Sequence, residues 1–127
     1  MVIAPTPGKR ILIVEDEKPI ARALELKLDH SGYDAVAVNG GQAALDLLEK
    51  EKFQLILLDL IMPGVDGFAV MQALKERGST TPIIVLTNLN QPEDIQKSKN
   101  LGAIDFLIKS DVPLANVVQR VQQVIKT

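Results

Sequence analysis

Four short, largely apolar runs punctuate the chain: Ile11–Val14, Leu55–Leu58, Ile83–Leu86 and Ile104–Ile108. Runs of this length suit strands buried on both faces, as in a parallel sheet. Ala35–Val38 is a weaker run and suits an edge strand. A segment with helical spacing of apolar positions follows each. The first sets Ile20, Leu24 and Leu28 on one face, with Pro19 near its start and Ser31-Gly32 at its end. Proline near a helix start costs little, and glycine suits a left-handed cap. The second follows Asn39-Gly40-Gly41 and offers Ala43, Ala44, Leu47 and Leu48. The third, about Gly67 to Arg77, carries Phe68, Val70, Met71 and Leu74 and closes at Gly78. The fifth opens near Asp111 with Pro113 and shows a one-face stripe of Leu114, Val117, Val118, Val121 and Ile125. The fourth, Gln91–Asn100, offers only Ile95 and then Leu101 to a core, which predicts low local stability.

This alternation predicts an α/β domain of five βα units, with a parallel sheet, helices on both faces and right-handed crossovers. A chain of 127 residues suits one domain. Apolar residues are 46% and aromatics 3%, so the core must be built from Leu, Ile, Val and Ala. Net charge is -2, which gives no footprint for nucleic acid or an anionic membrane. The absence of cysteine removes thiolate chemistry and disulfides, and a lone His30 removes a multi-histidine metal site. Met62, Met71 and His30 read as packing and surface residues. No apolar run approaches the roughly 18–20 residues of a membrane span, and Met1–Gly8 does not read as a signal peptide. A cytoplasmic protein is therefore expected, with residues 1–8 as a flexible arm before a domain over 9–127.

Ligands of open α/β sheets bind beyond the carboxyl ends of the strands. Glu15-Asp16-Glu17 follow the first run, Asp59 the third, Thr87-Asn88 the fourth and Lys109-Ser110 the last. Carboxylates gathered there repel one another. A hard divalent cation relieves that repulsion, and an all-oxygen donor set suits magnesium. Thr87 and Lys109 are then placed to contact the oxygens of a transferred phosphoryl group, with Asp59 as the attacking carboxylate. Phosphoryl transfer is mainly positioning and electrostatic stabilisation, so this set is chemically sufficient.

With these residues in order, the chain resembles the receiver domains of two-component response regulators. The resemblance rests on Ile11–Glu17, Leu57–Gly64 with Asp66-Gly67, Leu86-Thr87 and Gly102–Lys109. It implies a doubly wound, flavodoxin-like fold with strand order 2-1-3-4-5. It implies that Asp59 is the phosphoacceptor, and that Glu15, Asp16, Asp59 and the backbone carbonyl of Ile61 hold Mg2+. It further implies that Thr87 and Phe106 are switch residues and that Lys109 pairs with the phosphoryl group. The implied partners are a sensor histidine kinase or phosphotransfer protein, and a downstream protein or output domain. Self-association through helix 4, strand 5 and helix 5 is also compatible with the resemblance. No direct contact with nucleic acid or membrane is implied.

Three departures from the family pattern stand out. Ser110 replaces the usual proline, whose bond to the lysine is cis. A non-proline cis bond costs about 2.5–4 kcal/mol, so a trans bond and a reshaped loop are expected. Asn88 replaces a smaller residue and is expected to crowd the phosphoryl site. Ile61 and Leu89 are apolar where the family is often polar, and are expected to restrict access of water. Two rival readings are a degenerate receiver used only for protein binding, and a magnesium-dependent phosphohydrolase or flavin protein. The second lacks a Gly-rich phosphate loop and has Ile61 where a general acid would stand.

Overall fold

The structure, a computed structural model, describes residues 9–125. The predicted arm over 1–8 lies outside the described residues, as do 126 and 127. The elements alternate as β1 (Arg10–Val14), α1 (Lys18–His30), β2 (Asp34–Val38), α2 (Gly41–Lys50) and β3 (Leu55–Leu58). They continue as α3 (Gly67–Glu76), β4 (Ile83–Thr87), α4 (Pro92–Asn100), β5 (Ala103–Ile108) and α5 (Leu114–Val124). All four strand pairings are parallel, and the order is β2-β1-β3-β4-β5. The predicted fold class is the one observed.

Alternate strand residues point to opposite faces, which splits the core in two. Leu12, Val14, Ile56, Leu58, Ile83 and Val85 pack against α2 and α3, meeting Ala44, Leu45, Val70, Met71 and Leu74. Ile11, Ile13, Leu55, Leu57, Ile84 and Leu86 pack against α1 and α5, meeting Leu24, Leu28, Val117, Val118 and Val121. Each such aliphatic side chain contributes about 1.5–3 kcal/mol on burial. That apolar framework fixes the strand ends where the charges sit.

Helix details differ from the sequence expectation in three places. In α2 the buried residues are Gly41, Ala44 and Leu45, while Ala43 is exposed. Gly41 is drawn in because its Cα lies against Val65, where a Cβ would stand 2.2 Å from the carbonyl oxygen; that contact sets the helix rotation. In α3, Phe68 is only half-buried and lies under the Lys97 ammonium, 4.3 Å from the ring centre. In α5 the helix begins after Pro113, which caps it, and Ile125 lies just past its end. β5 also differs from a strand buried on both faces: its residues are half-buried, and Ile104 is 47% exposed. β5 closes one edge of the sheet, and the helix beside it is polar. Only Ser98 of α4 is buried, with its hydroxyl donating to the Asp94 carbonyl at 2.9 Å.

One more ladder bond beyond each strand end positions the rim. Glu15 N–H donates to Val38 O at 3.1 Å, Asp59 N–H to Val14 O at 3.0 Å, and Lys109 N–H to Thr87 O at 2.9 Å. Because β1 and β3 are neighbours in the sheet, Glu15 and Asp59 leave it side by side.

Candidate functional site

Glu15 and Asp59 are 3% and 4% exposed, and the Lys109 side chain reaches both. Lys109 Nζ lies 2.5 Å from Glu15 Oε1 and 2.9 Å from Asp59 Oδ2. The remaining oxygens are held by backbone: Glu17 N–H donates to Glu15 Oε2 at 3.2 Å, and Ile61 N–H donates to Asp59 Oδ1 at 3.2 Å. Asp16 is half-buried, and its carboxylate, with those of Glu15 and Asp59, offers oxygens all within 4.8 Å of one another. Four of the expected residues therefore meet at one point, from β1, β3 and β5.

The charges there do not balance. With all three carboxylates ionised, one ammonium leaves about two negative charges, a deficit that one dication cancels. Burial pushes the Glu15 carboxyl up to about 7, against the opposing pull of Lys109 and of the Glu17 N–H, with the Asp59 charge adding to the rise. Burial would lower the Lys109 ammonium, but its hydrogen bonds to Glu15 and Asp59 outweigh that and hold it above its ordinary value. The donor set is entirely hard oxygen. Few carboxylates and an exposed side at Asp16 leave room for water, which suits magnesium better than calcium or zinc. The residues fit such an ion.

The other expected residues are placed differently. Thr87 closes β4 and is fully buried, with its Oγ1 accepting from Leu89 N–H at 3.5 Å. Phe106 is half-buried and packs on the core between the sheet and the α2–α3 layer. Ile61 is 53% exposed beside Asp59, while Leu89 is half-buried against the same core as Phe106. Asn88 is exposed at the end of β4, and its Oδ1 accepts from Ser110 N–H at 3.1 Å. No cis peptide occurs among the described residues, so Lys109–Ser110 is trans, as its energy predicted. Serine in place of proline supplies a backbone N–H at position 110, and the Asn88 side chain takes it.

Sequence reasoning missed two features. The first is the double grip of Lys109 on Glu15 and Asp59. The second is Gly67, whose absent Cβ would lie 2.3 Å from the Asp59 carbonyl oxygen and 2.7 Å from Leu60 Cα. Gly67 N–H also donates to Leu60 O at 3.1 Å, and Asp66 caps α3 by accepting from Ala69 N–H at 2.9 Å. The only sequence sign of this was the Asp66-Gly67 pair ahead of an apolar stripe.

Comparison with known proteins agrees with this fold. The family model of the response regulator receiver domain matches residues 11–122. The chain is 41% identical over 101 residues to the Escherichia coli transcriptional regulatory protein PcoR, covering 80% of this chain and 45% of that protein. It is 37% identical over 106 residues to the Bacillus subtilis alkaline phosphatase synthesis transcriptional regulatory protein PhoP, covering 84% of this chain and 44% of that one. The chain thus spans a little under half the length of these curated relatives. Among solved structures, the Francisella response regulator 1452 receiver domain superposes with TM-score 0.87 at 27% identity, covering 93% of this chain and 97% of that one. The BeF3-activated N-terminal receiver domain of Klebsiella pneumoniae RstA gives TM-score 0.84 at 28% identity, covering 93% and 99%. No described helix is long and apolar enough to cross a membrane. On the family match across most of its length, and on the acidic rim that this fold presents, the chain belongs to the response regulator receiver domains of two-component systems, and is a signalling domain rather than a conventional enzyme.

Proposed function

We propose that Asp59 accepts a phosphoryl group from a sensor histidine kinase or phosphotransfer protein, and that this modification changes the surface formed by α4, β5 and α5. The observation that supports it most is the buried Asp59 carboxylate gripped by Lys109 inside a cluster of three acids. Glu15, Asp16, Asp59 and the Ile61 carbonyl would hold Mg2+. When bound, the ion would offset the carboxylate repulsion and the charge on the phosphoryl oxygens.

The chain's own groups do the rest. The Lys109 ammonium holds the Asp59 carboxylate in place before transfer, and afterwards pairs with a phosphoryl oxygen. The phosphorylated side chain carries about -2 charge and three acceptor oxygens. The Thr87 hydroxyl, which here accepts weakly from Leu89 N–H, donates its proton to one of those oxygens. Thr87 thereby moves, and Phe106 turns inwards into the space it vacates. Moving a two-state surface from 1:99 to 99:1 takes about 5.5 kcal/mol. Charge-assisted hydrogen bonds at about 1.5–3 kcal/mol each supply that from two or three contacts. A downstream protein or an output segment then reads the α4–β5–α5 surface, and self-association through it is a further outcome. Ile61 and Leu89 shield the site from the attacking water, so the phosphorylated state decays slowly and Ile61→Asn shortens its life.

Incubation with a small acyl phosphate and Mg2+ tests the reading. The expected product is an acid-stable, base-labile adduct that Asp59→Ala does not form. Equal labelling of Asp59→Ala would refute the assignment. Turnover of phosphate esters without a protein adduct would favour an enzyme instead.

A further inference from the structure

The β4–β5 ladder does not stop where the strands stop. Thr87 is registered with Ile108, and the next rung is Lys109 N–H to Thr87 O at 2.9 Å. The rung after that has no backbone acceptor. The Asn88 side chain supplies one, with Oδ1 accepting from Ser110 N–H at 3.1 Å. Thr87 and Lys109, the two residues proposed to contact the phosphoryl group, are thus each followed directly by one half of a clasp. Lys109 and Ser110 are themselves the central residues of the turn that Asp111 N–H closes on Ile108 O at 2.9 Å. Among the described residues the clasp is the last hydrogen bond between the two loops. It depends on both side chain and backbone: a proline at 110 has no N–H to donate.

We infer that Asn88 is a positioning residue for phosphoryl transfer, extending the β4–β5 ladder by a side-chain rung that fixes the spacing between the Thr87 hydroxyl and the Lys109 ammonium. The inference rests on the phosphoacceptor reading of Asp59. Asn88 touches none of the carboxylates in this arrangement; it acts through the main chain of Lys109 and Ser110. Loss of the rung lets the 109–110 backbone wander, and the ammonium spends less time where the phosphoryl oxygens arrive. An exposed hydrogen bond of this kind is worth about a two- to tenfold effect.

The test uses Asn88→Ala, Ser110→Pro and the double variant. Phosphorylation by a small acyl phosphate at saturating Mg2+ should slow about two- to tenfold in Asn88→Ala. The double variant should be no slower than Ser110→Pro alone, because with proline at 110 the bond that Asn88→Ala removes is already gone. Mg2+ affinity from titration should stay unchanged, which a general loosening of the fold would not allow. Amide hydrogen exchange supplies a readout independent of the reaction: Ser110 exchange should speed up in Asn88→Ala and return towards wild type in Asn88→Asp, which keeps an acceptor oxygen. Should Ser110→Pro fail to fold, the Asn88→Ala and Asn88→Asp pair carries the test. Rate losses that multiply in the double variant would overturn the inference, as would an unchanged Ser110 exchange rate or unchanged phosphorylation in Asn88→Ala. A wild-type protein that takes no phosphoryl group overturns the phosphoacceptor reading itself, and is told apart from those results because the exchange of Ser110 is then still governed by Asn88.

Discussion

Lys109 and Glu15 set the electrostatics of the rim between them. Among the described residues Lys109 is the one cation in contact with Asp59, and Glu15 competes for it at 2.5 Å. Because burial holds the Glu15 carboxyl up to about 7, metal binding must displace a proton below that pH. Apparent Mg2+ affinity should therefore rise about tenfold per pH unit up to about 7 and level off above it. In Glu15→Gln the affinity should be weaker and nearly flat with pH, as calorimetric titration at several pH values would show. The sign for stability follows from the same proton. The unfolded carboxyl ionises near 4.5 and the folded one near 7, so the folded state binds more protons in between. This group's contribution to metal-free stability falls as pH rises through that window, and Mg2+ reverses the loss. The charged residues of the site were legible in the sequence because each directly follows an apolar run. Asn88 was not legible in its role. Its partner is a backbone N–H 22 positions away, and a sequence does not show backbone donors.

At the scale of elements, two segments carry testable consequences. The β3–α3 connection is held against α3 by close approach at Gly67, where an added Cβ meets backbone rather than a movable side chain. Gly67→Ala gains helix propensity of about 1 kcal/mol but forces a shift costing typically 1–3 kcal/mol. The expected result is a net loss of stability in denaturant titration, with phosphorylation slowed because the shifted atoms are those of Asp59 and Leu60. The second segment is α4, which buries only Ser98 and leaves its charged residues in water. Its amides should exchange fastest among the five helices. An α4 as protected as α1 would contradict its role as the element that moves. The strands were legible because parallel strands bury both faces and read as apolar runs. The half-buried β5 was not, since its exposure depends on its edge position and on the polar helix beside it. The α2 stripe was misjudged at Ala43 because a backbone contact at Gly41, not a side chain, sets the helix rotation.

Across the whole molecule, two apolar layers hold a rim that carries more negative charge than it can neutralise. Binding an ion to the folded state alone stabilises it by about 2.7 kcal/mol at a concentration 100 times Kd. Mg2+ should raise Tm by several degrees, chelation should reverse the gain, and Asp16→Ala should lose it. The overall order of strands was legible from the alternation and the family resemblance together, because right-handed crossovers leave few ways to wind five βα units. The central claim is that Asp59, among all the carboxylates, receives the phosphoryl group. Borohydride reduction of the phosphorylated protein, followed by tandem mass spectrometry, locates an acyl phosphate directly by converting the modified aspartate to homoserine. Homoserine at position 59, and only when Mg2+ was present, is the predicted result; an unaltered aspartate at 59 with homoserine elsewhere would contradict the account.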